Sequence, residues 1–234
     1  IHLTKVDSEY PDNKLTGATF EVYKDSNANG KLDDGDELLG TLTEKEKGEY
    51  SMNDLFYGRY FVKETKAPEG FVLDTGVYEV MIDTNGKTYE VENKAGVGFI
   101  NDAMRGNLKI VKTSSDGKVK GFAFRITGAN GYDIILETND KGEIFIDGLR
   151  IGDYTISELS NSASSMYVIP ADKKATVKLG STTIVEMHNV LRDTPKTGDT
   201  TNLPLLYALA GLSAVGIAVC GVIGFKKKKK EDRN

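Results

Sequence analysis

Polar and apolar positions alternate along most of this chain. Ile1, Leu3 and Lys5 share one side of an extended segment, because successive side chains of a strand point to opposite faces. The same spacing of two runs through Tyr60, Val62 and Glu64, and through Val97, Phe99 and Asn101. It recurs in Leu108, Ile110 and Lys112, in Tyr154, Ile156 and Glu158, and in Val185, Met187 and Asn189. Each apolar stripe ends on a polar group. Val, Ile, Thr, Tyr and Phe fill these segments. Turn signals separate them: Asn85-Gly86, Asp116-Gly117, Asn130-Gly131 and Asp140-Lys141-Gly142. No helical period persists ahead of the C-terminal region. The pattern predicts an all-β protein made of sandwiches of short strands.

One segment breaks the alternation. Residues 203–225 are apolar apart from small residues and Pro204, and Lys226 to Lys230 follow at once. As a helix this run is roughly 34 Å long, enough to cross a ~30 Å hydrocarbon core with some tilt. It is expected to be a transmembrane helix. The lysines make 226–234 a basic cytoplasmic tail and put everything upstream outside the membrane.

The alternating part is duplicated. Lys47-Gly48-Glu49-Tyr50 aligns with Lys141-Gly142-Glu143-Ile144, and the segment 55–64 aligns with 149–158 without a gap. Ile1 to Lys5 parallels Leu108 to Lys112, and Gly17-Ala18-Thr19-Phe20 parallels Gly121-Phe122-Ala123-Phe124. Such a repeat predicts tandem copies of one module, 1–103 and 104–192, followed by a linker over 193–202.

Charge and cysteine content narrow the class. There are 35 Asp and Glu against 30 Lys and Arg, and five of the bases are the lysines Lys226 to Lys230, so the exported part is anionic. Nothing suggests nucleic acid. Cys220 is the only cysteine and lies within the apolar span, so the modules have no disulfide to rely on. His2 and His188 fall out of phase with the apolar faces and are expected on the surface. With no His/Cys cluster, phosphate loop or Ser-His-Asp set, no enzyme and no required cofactor is expected. Ile1 is preceded by no signal peptide, so a longer precursor is expected. A host or extracellular-matrix ligand would belong to that upstream region.

Tyr60 to Phe71 closely resembles the E-box of pilin subunits, and both units look like SpaA-type (collagen-adhesin B-type, prealbumin-like) domains of Gram-positive adhesins and pilins. The resemblance covers about residues 1–192 and implies two tandem prealbumin-like, Ig-like β-sandwiches. Thr194-Pro195-Lys196-Thr197-Gly198 resembles the Leu-Pro-x-Thr-Gly sorting signal of Gram-positive surface proteins. In that family a sortase cysteine cleaves after the threonine and passes its carboxyl to an amine of peptidoglycan or of another pilin. Carried over, the scissile bond is Thr197–Gly198, and the membrane holds the chain only before sorting. Thr194 stands where leucine is usual, which leaves room for a class B or other variant sortase.

Domains of this family often bond a first-strand Lys to a last-strand Asn, promoted by an acidic residue. Here that implies Lys5–Glu64–Asn101 and Lys112–Glu158–Asn189, the polar groups that end the stripes. Burial disfavours the charged forms of Lys and Glu. A neutral amine is a nucleophile, and a protonated Glu can polarise the Asn carboxamide and move protons. The alternative is a buried Lys–Glu salt bridge hydrogen-bonded to Asn. In the first unit Asn93 rivals Asn101, since Tyr89, Val91 and Asn93 alternate as well.

The first unit also carries an insertion, 25–37. Asp25, Asn27, Asn29, the Lys31 carbonyl and Asp36 fall at calcium-loop spacing around Gly30, although the twelfth position is Asp36 and Glu37 comes one step late. A surface loop of Asx turns is the alternative. The expected role is the stalk of a wall-anchored adhesin or pilin-like protein. Two other roles stay open: a spacer for an upstream enzyme, or a polymerising pilin. The latter needs an acceptor lysine in a Tyr-Pro-Lys-like setting, and Tyr23-Lys24 lacks the proline.

Overall fold

The computed structural model describes residues 1–193. The sorting motif Thr194 to Gly198, the apolar run 203–225 and the tail 226–234 lie outside the described residues. Among the described residues no helix is long and apolar enough to cross a membrane. Helical structure there is confined to a 3₁₀ turn, Ala129–Gly131.

Eight strands form the first module. They are β1 (His2–Asp7), β2 (Thr19–Lys24), β3 (Glu37–Thr41), β4 (Thr43–Glu46), β5 (Glu49–Ser51), β6 (Gly58–Lys66), β7 (Val77–Ile82) and β8 (Phe99–Asn101). Eight more form the second: β9 (Arg105–Ser114), β10 (Ala123–Thr127), β11 (Asp133–Glu137), β12 (Glu143–Arg150), β13 (Gly152–Glu158), β14 (Tyr167–Val168), β15 (Lys173–Val177) and β16 (Thr182–Leu191). Each module has two four-stranded sheets. In the first, β4-β5-β1-β8 faces β3-β2-β6-β7; in the second, β12-β9-β16-β14 faces β11-β10-β13-β15.

The stripes form the cores. Leu3, Phe20, Val22, Tyr60, Val62 and Phe99 are buried in the first module, and Leu108, Ile110, Phe124, Ile126, Ile156 and Met187 in the second. Phe20 meets Phe99 edge-on at 4.9 Å between ring centres, tying the two sheets together. Val97 precedes β8 instead of lying on it. Gly98, at φ +124°, brings that turn so close to β1 that a Cβ would sit 2.7 Å from the Thr4 carbonyl. His188 is exposed, as its phase requires. His2 is only half exposed, because Glu49 and Glu90 bracket its ring at 3.0 and 2.7 Å.

The first and last strands of each module are parallel neighbours. Lys5 sits across from Phe99 and Asp7 across from Asn101. In the second module Lys112 sits across from Met187 and Ser114 across from Asn189. The lysine and the asparagine are therefore diagonal neighbours, two residues out of register, in both copies. Antiparallel β2–β6 pairing places Glu64 across from Phe20, and β10–β13 pairing places Glu158 across from Phe124. The carboxyl comes from the opposite sheet.

Candidate functional site

The glycine of the repeated Lys-Gly-Glu motif sets each lysine. Gly48 and Gly142 lie at φ +71° and +76°, a left-handed region that favours glycine. Their carbonyls accept from the Lys5 and Lys112 backbone N–H groups at 2.7 Å. A Cβ on Gly142 would stand 2.6 Å from the Lys112 carbonyl. The lysine side chains then run inward among the stripes.

Lys5, Glu64, Asn101, Lys112, Glu158 and Asn189 are all buried. Lys5 Nζ lies 3.9 Å from Glu64 Oε1, and Asn101 Nδ2 donates to Glu64 Oε2 at 2.8 Å. Lys112 Nζ lies 3.9 Å from Glu158 Oε2, and Asn189 Nδ2 donates to Glu158 Oε1. Each ammonium rests near a ring, Lys5 at 5.2 Å from Phe99 and Lys112 at 4.3 Å from Phe122. The structure brings both sequence-expected sets together. Asn93 goes elsewhere: it donates to Asp74 Oδ2 and the Ile100 carbonyl and accepts from the Ile100 N–H.

At 3.9 Å the charges are close without a hydrogen bond between them. Burial holds the Lys5 ammonium down to about 8, partly offset by Glu64. Burial likewise lowers Lys112 and raises Glu64 and Glu158, with the hydrogen bond from Asn pulling each carboxyl back. The same atoms are left without a hydrogen-bond partner in both copies: Glu64 Oε1 and Asn101 Oδ1, Glu158 Oε2 and Asn189 Oδ1. A buried unsatisfied polar group costs about 1–3 kcal/mol. Two at each site is a large penalty for an arrangement with a purely structural purpose. An amine shifted toward neutrality, an acid shifted toward protonation and an amide between them are the reactants of a transamidation.

Asp74 is a participant that sequence reasoning missed. Its backbone N–H donates to Glu64 Oε2 at 2.8 Å. Burial raises its carboxyl, but bonds from Asn93, the Gly76 N–H and Tyr78 outweigh this and leave it below the usual range. Two neighbouring carboxyls are thus pushed apart, Glu64 up and Asp74 down. The second module has no counterpart to the 66–76 segment at matching spacing, so the repeat gave no signal.

The insertion 25–37 folds on itself. Asp25 accepts from the Asn29 and Gly30 N–H groups and lies 3.3 Å from Arg59 Nη1. Asn27 and Asn29 accept from N–H groups two residues on, and Asp36 accepts from the Ser26 and Asp33 N–H groups. These are Asx-type contacts. The side-chain oxygens considered for calcium are engaged by backbone donors. Among the described residues no group of three or more His, Cys, Asp or Glu side chains converges.

A second cluster, also missed from sequence, joins the modules. Arg150 donates to Asp7 at 2.5 and 2.7 Å and to Glu9 at 3.0 and 2.7 Å. Its guanidinium lies 4.8 Å from the Tyr10 ring and 5.8 Å from Phe71, and Arg105 adds an ion pair to Glu9. The Met104 N–H donates to Gly70 and the Ile151 N–H to Met104. One charged residue between Leu149 and Ile151, where the first repeat has Phe56, was the available signal.

Two sheets face to face with parallel terminal strands are the architecture of a prealbumin-like sandwich. The chain belongs to the SpaA prealbumin-like fold domain family, which it matches over residues 1–95 and 106–190. It is 28% identical over 184 residues to the trypsin-resistant surface T6 protein of Streptococcus pyogenes serotype M6, covering 77% of this chain and 30% of that protein. Its fold resembles that of the Bacillus anthracis TIE protein, with a TM-score of 0.58 at 24% identity over 82% of this chain and 33% of that one. The chain therefore spans about a third of the length of these relatives.

Proposed function

We propose that this chain is a stalk segment of a Gram-positive cell-surface protein, closed by one intramolecular isopeptide bond in each sandwich and anchored to the wall by a sortase. The observation that carries this reading is the buried Lys–Glu–Asn set at one register in both copies. Neutral Nζ attacks the Asn Cγ, a half-turn of the carboxamide having presented its oxygen to the protonated Glu. The Nζ–Cγ bond forms and the Cγ–Nδ2 bond breaks. Glu passes its proton to the leaving nitrogen and takes one from Nζ, so ammonia departs and Glu is restored. The pairs would be Lys5–Asn101 and Lys112–Asn189, each reacting once.

Downstream, the apolar run 203–225 and Lys226 to Lys230 would hold the precursor in the membrane. A sortase thiolate would cleave Thr197–Gly198 and transfer the Thr197 carboxyl to a peptidoglycan amine. Kinship with a streptococcal surface protein supports the location.

Intact-mass measurement of the folded chain tests the bonds. The expected result is a mass lower than the sequence mass by one ammonia per bond, with branched Lys5–Asn101 and Lys112–Asn189 peptides after digestion. An unchanged mass with both lysines open to amine reagents would overturn it. For anchoring, Thr197→Ala should keep the chain in the detergent-soluble membrane fraction. Wild-type protein extracted from cells by detergent alone would refute the sorting.

A further inference from the structure

The two modules carry the same loop at the end where the chain enters. Asp54 and Gly148 both adopt left-handed backbone, at φ +59° and +64°, and Gly58 and Gly152 follow at +147° and +132°. Tyr60 Oη donates to the Phe56 carbonyl at 2.8 Å, and Tyr154 Oη to the Arg150 carbonyl at 2.9 Å. The loops are built alike but covered differently. On the second module, Arg150 is clamped by Asp7 and Glu9 of the first, and the hollow beside it is only about 250 Å³. On the first module, Phe56 is 83% and Tyr57 65% exposed, beside an open groove of about 750 Å³.

The backbone differs in the same sense. Leu108 corresponds to Ile1, and β9 begins three residues earlier, so that Arg105 and Gly106 pair with Arg150 and Leu149. β12 consequently runs to Arg150, whereas β5 stops at Ser51. Among the described residues, Leu55 and Phe56 have no strand partner. Ile1 itself lines the groove, so a segment leading into β1 must pass over it.

We infer that the Phe56–Tyr57 end of the first module is a docking surface for a further sandwich of the same class, joined in line ahead of β1. Its linking segment extends β1 across Leu55 and Phe56, as Arg105 and Gly106 extend β9. The seated face must be apolar in place of the acidic Asp7–Glu9 pair, because Phe56 and Tyr57 replace Arg150 and Ile151. Matched relatives about two and a half times the length of this chain leave room for such a module.

Hydrogen exchange on the full-length polypeptide, compared with the 234-residue chain, tests this. The expected result is exchange at 55–58 slowed by roughly tenfold or more in the longer polypeptide. Phe56→Asp with Tyr57→Asp should abolish that protection while leaving exchange at 149–152 and the melting of the first module unchanged. Equal exchange at 55–58 in both chains overturns the inference. So does concentration-dependent dimerisation of the 234-residue chain that Phe56→Asp prevents, since that assigns the surface to a second copy.

Discussion

Glu158→Gln separates the proposed covalent bond from the packing around it. Gln is nearly isosteric, so no cavity opens, but it has no titratable proton to pass to the leaving nitrogen. Lys112 and Asn189 should then remain unjoined. The lost link closes a loop of about 78 residues, for which chain-entropy arithmetic gives about 4.5 kcal/mol. At roughly 4–8 °C per kcal/mol for a module of this size, melting of the second sandwich should fall by roughly 20–35 °C. Calorimetry would show that transition moving while the first sandwich melts as before, and intact mass would show one ammonia more than in wild type. Stability alone does not decide, because an unpaired buried lysine also costs several kcal/mol. Mass does: if the variant still loses ammonia at this site, or if wild type never loses it, the reasoning is wrong.

Three further outcomes follow from the same geometry. In Asn101→Ala, Lys5 stays a free buried amine titrating near 8 instead of its ordinary 10.5. Below pH 8 both folded and unfolded forms carry the proton and the burial penalty is complete. Between about 8 and 10.5 the folded form binds fewer protons, so stability should rise by roughly 3 kcal/mol; denaturant melts against a Lys5→Met/Asn101→Ala double variant check this. Arg150→Ala leaves Asp7 buried without its partner and should cost roughly 3–5 kcal/mol, splitting any joint melting of the two sandwiches, as followed by calorimetry. Tyr154→Phe removes the bond to the Arg150 carbonyl and should cost about 1 kcal/mol in chemical denaturation.

Much of the fold was legible because the side-chain period of a strand is two. Leu3 and Lys5, or Met187 and Asn189, must share a face, and a polar group ending an apolar stripe must either reach solvent or find partners inside. The duplication made the second answer the better one. Contacts between elements of unlike sequence were hidden. Asp74 joins Glu64 through a backbone N–H, which any residue could supply, and its side chain meets Asn93 and Tyr78 across a loop with no period. The acidic insertion shows a different limit: the Asp and Asn oxygens that suit a hard cation equally suit the N–H groups of their own turns. Arg150 was visible as an isolated charge, but its partners Asp7 and Glu9 lie at the far end of another module.

The parallel pairing of first and last strands has a consequence for growth. In each sandwich the chain arrives at one end and departs from the other. Duplicating the coding segment of one module therefore adds a fixed increment of reach in one direction and never folds the protein back on itself. Had β1 and β8 been antiparallel, each added copy would have reversed the path. With this topology, length becomes a number that gene duplication can count, and selection can set how far such a protein extends by changing that number alone.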